Sequence, residues 1–233
     1  MAKEMTGKPG EVLGIVKLTN IFGKRAAKVL ACAGFITEAP DRKRGAPRSF
    51  VCKQLLPTLD TYREMERVHF SVTVADAISN AEGEAESLKD ELQEWFDNLP
   101  ENFQQGDKGS QLEEAVSALE SVQFPTLPDW FEEWAALVKD RNTFVFFPSD
   151  GNSRADRGSD AAGQLRQAGE KLRELGEGLE QEAVDLRDDE DEDPKREAAA
   201  DLASERGDEL TNLADELESA ADELDGVEYP GMY

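Results

Sequence analysis

Leu112-Glu-Glu-Ala115-Val-Ser-Ala-Leu119-Glu-Ser-Val122-Gln-Phe124-Pro125 is written a second time, 105 residues downstream, as Leu217-Glu-Ser-Ala220-Ala-Asp-Glu-Leu224-Asp-Gly-Val227-Glu-Tyr229-Pro230. Six positions carry the match: four apolar residues at spacings of three and four, an aromatic residue and the proline that follows it. Such spacing gathers the apolar residues on one face of an α-helix, and the proline stops the helix. A unit used twice implies two helical modules of common design.

Working outward, each copy has a partner helix before it. Ile78, Ala81, Ala85, Leu88, Leu92, Trp95 and Leu99 form one seam, on a helix of about 33 Å at 1.5 Å per residue. Pro100 ends that helix, and the polar turn Glu101 to Gly109 leads back into Leu112, Ala115, Leu119 and Val122, which predicts a helical hairpin. Downstream, Leu165, Ala168, Leu172, Leu175, Leu179, Glu182 or Ala183, and Leu186 form a second leading seam. The break Asp188-Asp-Glu-Asp-Glu-Asp-Pro194 separates it from Leu210, Leu213, Leu217, Ala220, Leu224 and Val227. Two hairpins of this kind bury their seams together as a four-helix bundle, or separately as coiled-coil arms. Between them, Asp129 is placed to N-cap a short amphipathic helix, and Thr143-Phe-Val-Phe-Phe-Pro148 reads as a short strand or packing plug. Ser149 to Asp160 reads as a polar linker. The sequence therefore divides into a head, 1–75, a first hairpin with its aromatic segment, 76–150, and a second, highly acidic hairpin, 151–233.

The charge of this 233-residue chain, net −25, is unevenly spread. Residues 1–75 carry 13 Lys and Arg against 7 Asp and Glu, a net +6, whereas residues 76–233 carry 13 against 44, a net −31. A basic head approaches phosphate; an acidic body is repelled by nucleic acid and by anionic membrane. Cys32 and Cys52 stand outside any CxxC or Cys/His cluster, which argues against a disulfide scaffold and a zinc site. No apolar run marks a signal peptide or a membrane span, so the expected location is the cytoplasm, with no membrane partner.

In the head, Glu11 to Gly23 and Lys24 to Gly34 predict two short helices with a turn near Gly23. Phe35-Ile-Thr-Glu and Arg48-Ser-Phe-Val-Cys-Lys predict a hairpin whose tip is Ala39-Pro-Asp-Arg-Lys-Arg-Gly-Ala-Pro47. These residues resemble a winged helix-turn-helix. Leu18-Thr-Asn-Ile-Phe-Gly would be the positioning helix, Lys24 to Ala33 the recognition helix and Asp41 to Arg48 the wing, with Leu55 to Val68 completing the helical core. The expected fold class is thus mainly α, with a small α+β winged-helix-like head followed by two helical hairpins. Trp95-Phe-Asp-Asn-Leu-Pro-Glu-Asn-Phe-Gln104 resembles the hairpin turn of a group of uncharacterised acidic proteins of bacteriophages and some bacteria. That resemblance implies an origin in a phage or mobile element and brings no activity with it.

Catalysis has little to draw on. The single His, His69, lies in the alternating run Arg67-Val-His-Phe-Ser-Val-Thr-Val, where a half-buried structural role is the plainer reading. Asp150 to Asp160 spaces its oxygens like a calcium loop, yet Arg154, Ala155 and Ala161 stand where that site requires an acid, a Gly and a bidentate Glu. No catalytic residue, cofactor, metal or small-molecule substrate is expected. Lys24, Arg25, Lys28, Arg42, Lys43, Arg44 and Arg48 put seven cations on two adjacent elements, as phosphate contacts require. The competing reading has that head dock on an acidic body, its own or a partner's.

The sequence therefore predicts a non-catalytic DNA-associated regulatory or accessory protein. Duplex DNA is expected at the head, and a protein partner or self-association at the acidic helices. One alternative is an acidic decoy that imitates DNA phosphates and occupies a DNA-binding enzyme, since residues 158–228 hold 25 acids against 7 bases. The other is a structural or assembly protein of a virion.

Overall fold

A computed structural model describes residues 14–16, 30, 36–38, 50–52, 70–138, 141–149, 151, 153–188 and 193–231. The chain divides into two compact units, Met1–Ser71 and Val72–Tyr233. In the first, Gly14–Val16 (β1), Ile36–Glu38 (β2) and Phe50–Cys52 (β3) form an antiparallel sheet in the order β1-β3-β2. Ile36 faces Cys52 and Glu38 faces Phe50, the pairing expected of the hairpin. Gly14–Val16 departs from expectation: instead of a helix it is a strand, with Ile15 opposite Val51. Gly14 disfavours a helix interior and the β-branched Ile15 and Val16 favour a pleated surface, so local propensity and the open edge of β3 agree. Leu30, within the segment expected to be the recognition helix, is helical and fully buried. The remainder of that segment, the positioning helix and Leu55 to Val68 lie outside the described residues.

The second unit is helical. Its elements are Ser71–Thr73 (β4), Val74–Asp97 (α1), Glu101–Gln104 (α2), Asp107–Ser121 (α3), Asp129–Leu137 (α4), Thr143–Val145 (β5), Arg154–Arg187 (α5) and Pro194–Asp225 (α6). Three of the long helices, α1, α5 and α6, begin at a residue whose side chain satisfies a free N–H group. The Thr73 hydroxyl accepts from the Asp76 amide at 3.0 Å, which starts α1 four residues ahead of its first seam residue, Ile78. Ser153 and Asp156 form a reciprocal capping box. This box draws 154–160, expected as linker, into α5. The Asp193 carboxylate accepts from the Lys195 amide at 3.0 Å, with Pro194 in the first turn of α6. At α4, by contrast, Pro128 holds the N-cap position and Asp129 sits one residue inside. There it faces the helix dipole rather than capping it. Within the expected polar turn lies α2, and the Gln104 side chain donates to the Phe96 carbonyl at 3.1 Å, closing the end of α1.

The two hairpins share one apolar core. Leu88, Leu92, Leu112, Leu165, Leu172, Leu210, Leu217 and Leu224 are all fully or almost fully buried in it, together with Phe131 of α4. α5 packs along α6, α1 lies against both α5 and α3, and α3 reaches α6, so the four long helices close a ring. Asn80 bonds Gln164 at 3.5 Å and Glu91 pairs with Arg154 at 3.3 Å, which makes α1 and α5 antiparallel. β4 pairs with β5, and Phe146 is buried where it meets Gly163 of α5. With 34 and 32 residues, α5 and α6 run to about 50 Å and outreach α1. Their far end has its own small core of Ala183, Ala200 and Ala203.

α5 and α6 approach more closely than leucine seams allow. Ala162, Gly169, Gly176 and Ala183 recur every seven residues on α5, and Ala200, Gly207, Ala214 and Ala221 do so on α6; all eight are buried. A Cβ on Gly176 would stand 2.9 Å from the Gly207 carbonyl oxygen, and one on Gly169 would stand 3.1 Å from that of Ala214. Gly178, two residues on, meets nothing within 4 Å. Gly176→Leu is therefore expected to force the helices apart and cost about 1–3 kcal/mol by overpacking. Gly178→Ala should instead raise stability by up to about 1 kcal/mol through helix propensity alone. Thermal melts of the two variants check this; equal effects would show that the helices are not in contact at Gly176.

Candidate functional site

Lys24, Arg25, Lys28, Arg42, Lys43, Arg44 and Arg48 all lie outside the described residues, as does His69. The elements on either side of the basic tip, β2 and β3, are paired in antiparallel register, so residues 39–49 join two adjacent strands. In the body, several of the described carboxylates have recognisable local roles. Asp156 belongs to the capping box of α5, and Asp160 accepts from the Ser149 amide at 2.8 Å and from its hydroxyl at 3.0 Å. Asp156 and Asp160, two of the acids that resembled part of a calcium loop, are thus engaged in ordering the entry to α5. Among the described residues no group of three or more His, Cys, Asp or Glu is arranged to hold a metal ion. No described helix is long and apolar enough to cross a membrane.

The arginines of α5 form two sets of clamps. Toward α1, Arg157 holds Glu84 and, at 2.5 Å, Glu91, while Arg154 reaches Glu91 at 3.3 Å and lies over the Trp95 ring at 5.1 Å. Toward α6, Arg166 holds Asp222 at 2.9 Å and Asp225 at 2.5 Å; Arg173 holds Asp215 at 2.7 Å and Glu218 at 2.5 Å. Arg187 holds Asp201 at 2.9 Å. These rungs recur at heptad spacing, except that Glu180 stands where another arginine would fall and accepts from Ser204 at 3.1 Å. One guanidinium bridging two carboxylates is a geometry lysine reproduces poorly. Sequence reasoning treated these charges as a solvent face. The signal that identifies them is the recurrence of Arg166, Arg173 and Arg187 in step with Asp222, Asp215 and Asp201 in reverse order.

Two grooves open where α3 meets α6. In one, the tail Glu228-Tyr229-Pro230 lies beside Gln111, Glu114, Ala115 and Ala118 of α3; in the other, Gln123-Phe124-Pro125 lies beside Glu216, Ser219, Ala220 and Glu223 of α6. Every one of these residues has its counterpart across the 105-residue offset, so the repeat is a repeat in space as well. Each copy's helix receives the other copy's aromatic-proline tail, as a pseudo-twofold axis demands. The Tyr229 ring seats against Gly158, where a Cβ would come within 2.5 Å of the phenol oxygen. Burial, followed by the charge of Glu84, pushes that phenol up to about 12.

No family model, no curated protein and no solved structure matches this chain.

The Arg157 clamp yields a pH test. Its hydrogen bond to Glu91 is the main cause holding that carboxyl below its ordinary value of 4.5. As pH falls the unfolded chain takes up this proton first, so the clamp stabilises the fold above about 4.5 and is lost as pH drops through the folded value. In Arg157→Met, the fall in stability between about pH 5 and pH 3 should be shallower than in the parent protein, measured by urea unfolding. Parallel curves would mean that the clamp does not form.

Proposed function

We propose that the chain is a non-catalytic DNA-associated accessory protein of phage or mobile-element origin. Its basic head, built as a winged-helix-like module, is the duplex-contacting part, and its acidic four-helix body is the part that docks protein. One observation carries this reading: the charge changes sign where the chain changes unit. Residues 1–71 hold 13 Lys and Arg against 7 Asp and Glu, and residues 72–233 hold 13 against 44. A compact unit of net +6 joined to one of net −31 separates an anion-seeking surface from an anion-repelling one. The antiparallel β2–β3 ladder supports a hairpin that carries Arg42, Lys43, Arg44 and Arg48 at or beside its tip.

The decoy reading has some support in the excess of acids on α5 and α6. It is weakened by the use made of those acids: Asp201, Asp215, Glu218, Asp222 and Asp225 are each engaged by an arginine of α5. A carboxylate neutralised within its own molecule is a poor imitation of a free phosphate.

The full chain is expected to bind duplex DNA with an affinity that falls steeply with salt, because the binding is driven by released counterions. Replacing Arg42, Lys43 and Arg44 together by Ala should flatten the log–log salt slope by up to about three units, at roughly 0.9 per phosphate contact. Fluorescence anisotropy at several salt concentrations measures both. Absence of binding at low salt would remove the DNA reading; inhibition of a DNA-binding enzyme by the same protein would favour the decoy.

A further inference from the structure

α3 is joined to the body differently from the other long helices. The arginines of α5 clamp α1 on one side and α6 on the other, whereas among the described residues α3 forms no ion pair. Its one described side-chain hydrogen bond to another segment runs to the tail that follows α6, where Lys108 donates to the Gly231 carbonyl. Two residues earlier in that tail, the Tyr229 ring seats against Gly158 of α5. Residues 228–231 therefore cross from α5 to α3 and tie them together, over a groove that Ala115 and Ala118 help to line.

The seat of Tyr229 is imperfect. Its hydroxyl is enclosed and finds no hydrogen-bond partner. The charged groups that act on it are engaged elsewhere: Arg157 holds Glu84 and Glu91, and Asp225 is held by Arg166. Such a hydroxyl is satisfied by water when the ring lifts and by nothing when the ring is seated, which offsets part of what burying the ring gains. Phe124, the counterpart of Tyr229 in the first copy of the repeat, brings no hydroxyl to its groove. Of the two repeated tails, the second carries this cost and the first does not.

We propose that residues 228–231 are a releasable strap, which lifts from α3 and α5 as a local opening while the rest of the bundle stays folded. The Tyr229 ring is its catch, and the unpaired hydroxyl keeps that catch weak. Lifting breaks the bond from Lys108 to Gly231, bares Gly158 and the Ala115 side of α3, and leaves α3 held by its apolar face. Local opening of this kind is confined to segments with few buried contacts. α3 is thus the long helix that the strap frees to move, while α1, α5 and α6 stay clamped. The inference concerns the body and does not depend on what the head binds.

The test uses the full chain and a thiol placed beneath the strap. Ala115→Cys puts it on α3 in the groove that the strap lines, and Ala214→Cys, in a separate protein, puts it between α5 and α6. Both alanines are buried, so a thiol reagent reaches either position when the structure around it opens. Peptide masses separate these thiols from Cys32 and Cys52. The thiol of Ala115→Cys is expected to react at least about tenfold faster than that of Ala214→Cys, at a rate that barely responds to dilute urea, because little surface opens with the strap. Adding Tyr229→Phe, which removes the unpaired hydroxyl and keeps the ring, should slow that reaction about fivefold or more. Adding Gly158→Ala, whose Cβ would stand 2.5 Å from the phenol oxygen, should quicken it. All variants should keep the parent helical circular dichroism. Equal rates at the two positions, with the same steep urea dependence, would mean that the tail leaves only when the body unfolds, and would overturn the proposal. An unchanged or faster reaction in Tyr229→Phe would overturn it as well, because the hydroxyl would then not weaken the catch.

Discussion

The close approach of α5 and α6 is the constraint on which the rest of the body depends. Glycine and alanine at every seventh position let the two backbones come within van der Waals distance, which leaves each helix's leucines to reach past the contact into the common core. A leucine at Gly176 or Gly207 would hold the helices apart and lift Leu172, Leu210 and Leu217 away from α1 and α3. Tight pairing also brings the flanking positions within reach of one another, and so makes the arginine rungs possible. Packing sets the distance, and the charges work at that distance.

A body of net −31 repels itself unless its few cations are well placed. The clamping arginines all belong to α5, the one helix that has α1 on one side and α6 on the other. Each exposed pair contributes little alone, and the bridging geometry, one guanidinium to two acids, is what distinguishes these from incidental surface pairs. α3, with Lys108 as its single cation, has no means of doing the same for its side of the bundle.

Much of this architecture is legible in the sequence, and the parts that are not share a cause. The leucine seams, the hairpin of α5 and α6, the strand at Thr143–Val145 and the pairing of Ile36–Glu38 with Phe50–Cys52 follow from period, propensity and turn residues. The helix starts at Ser153 and Asp129 are not legible because a cap is decided by one hydrogen bond: Asp156 closes a box with Ser153, and Asp129 finds no such partner. The strand at Gly14–Val16 is not legible locally because its formation depends on Phe50–Cys52, far along the chain. The glycines of α5 read as weak points in a helix until their partners on α6 are known; only the matched heptads on both helices disclose the contact. The seven cations assigned to DNA rest on composition and resemblance alone.

Glu180 interrupts the ladder of arginines, and its position has a consequence for alignment. The small-residue heptads alone do not exclude a pairing of α5 and α6 displaced by seven residues, in which small residues again meet and the cost is a tight Cβ contact where Ala183 takes the place of Gly176. Glu180 does. In the native pairing it accepts from the Ser204 hydroxyl. Displaced by one heptad so that it takes the place of Arg173, it would confront Asp215 and Glu218, the two acids that now hold that arginine. The mispaired hairpin would exchange two attractions for two repulsions at a single rung. A residue that adds nothing to the ladder thereby excludes the nearest wrong version of it, and a chain with so repetitive a pattern acquires one way of lying down.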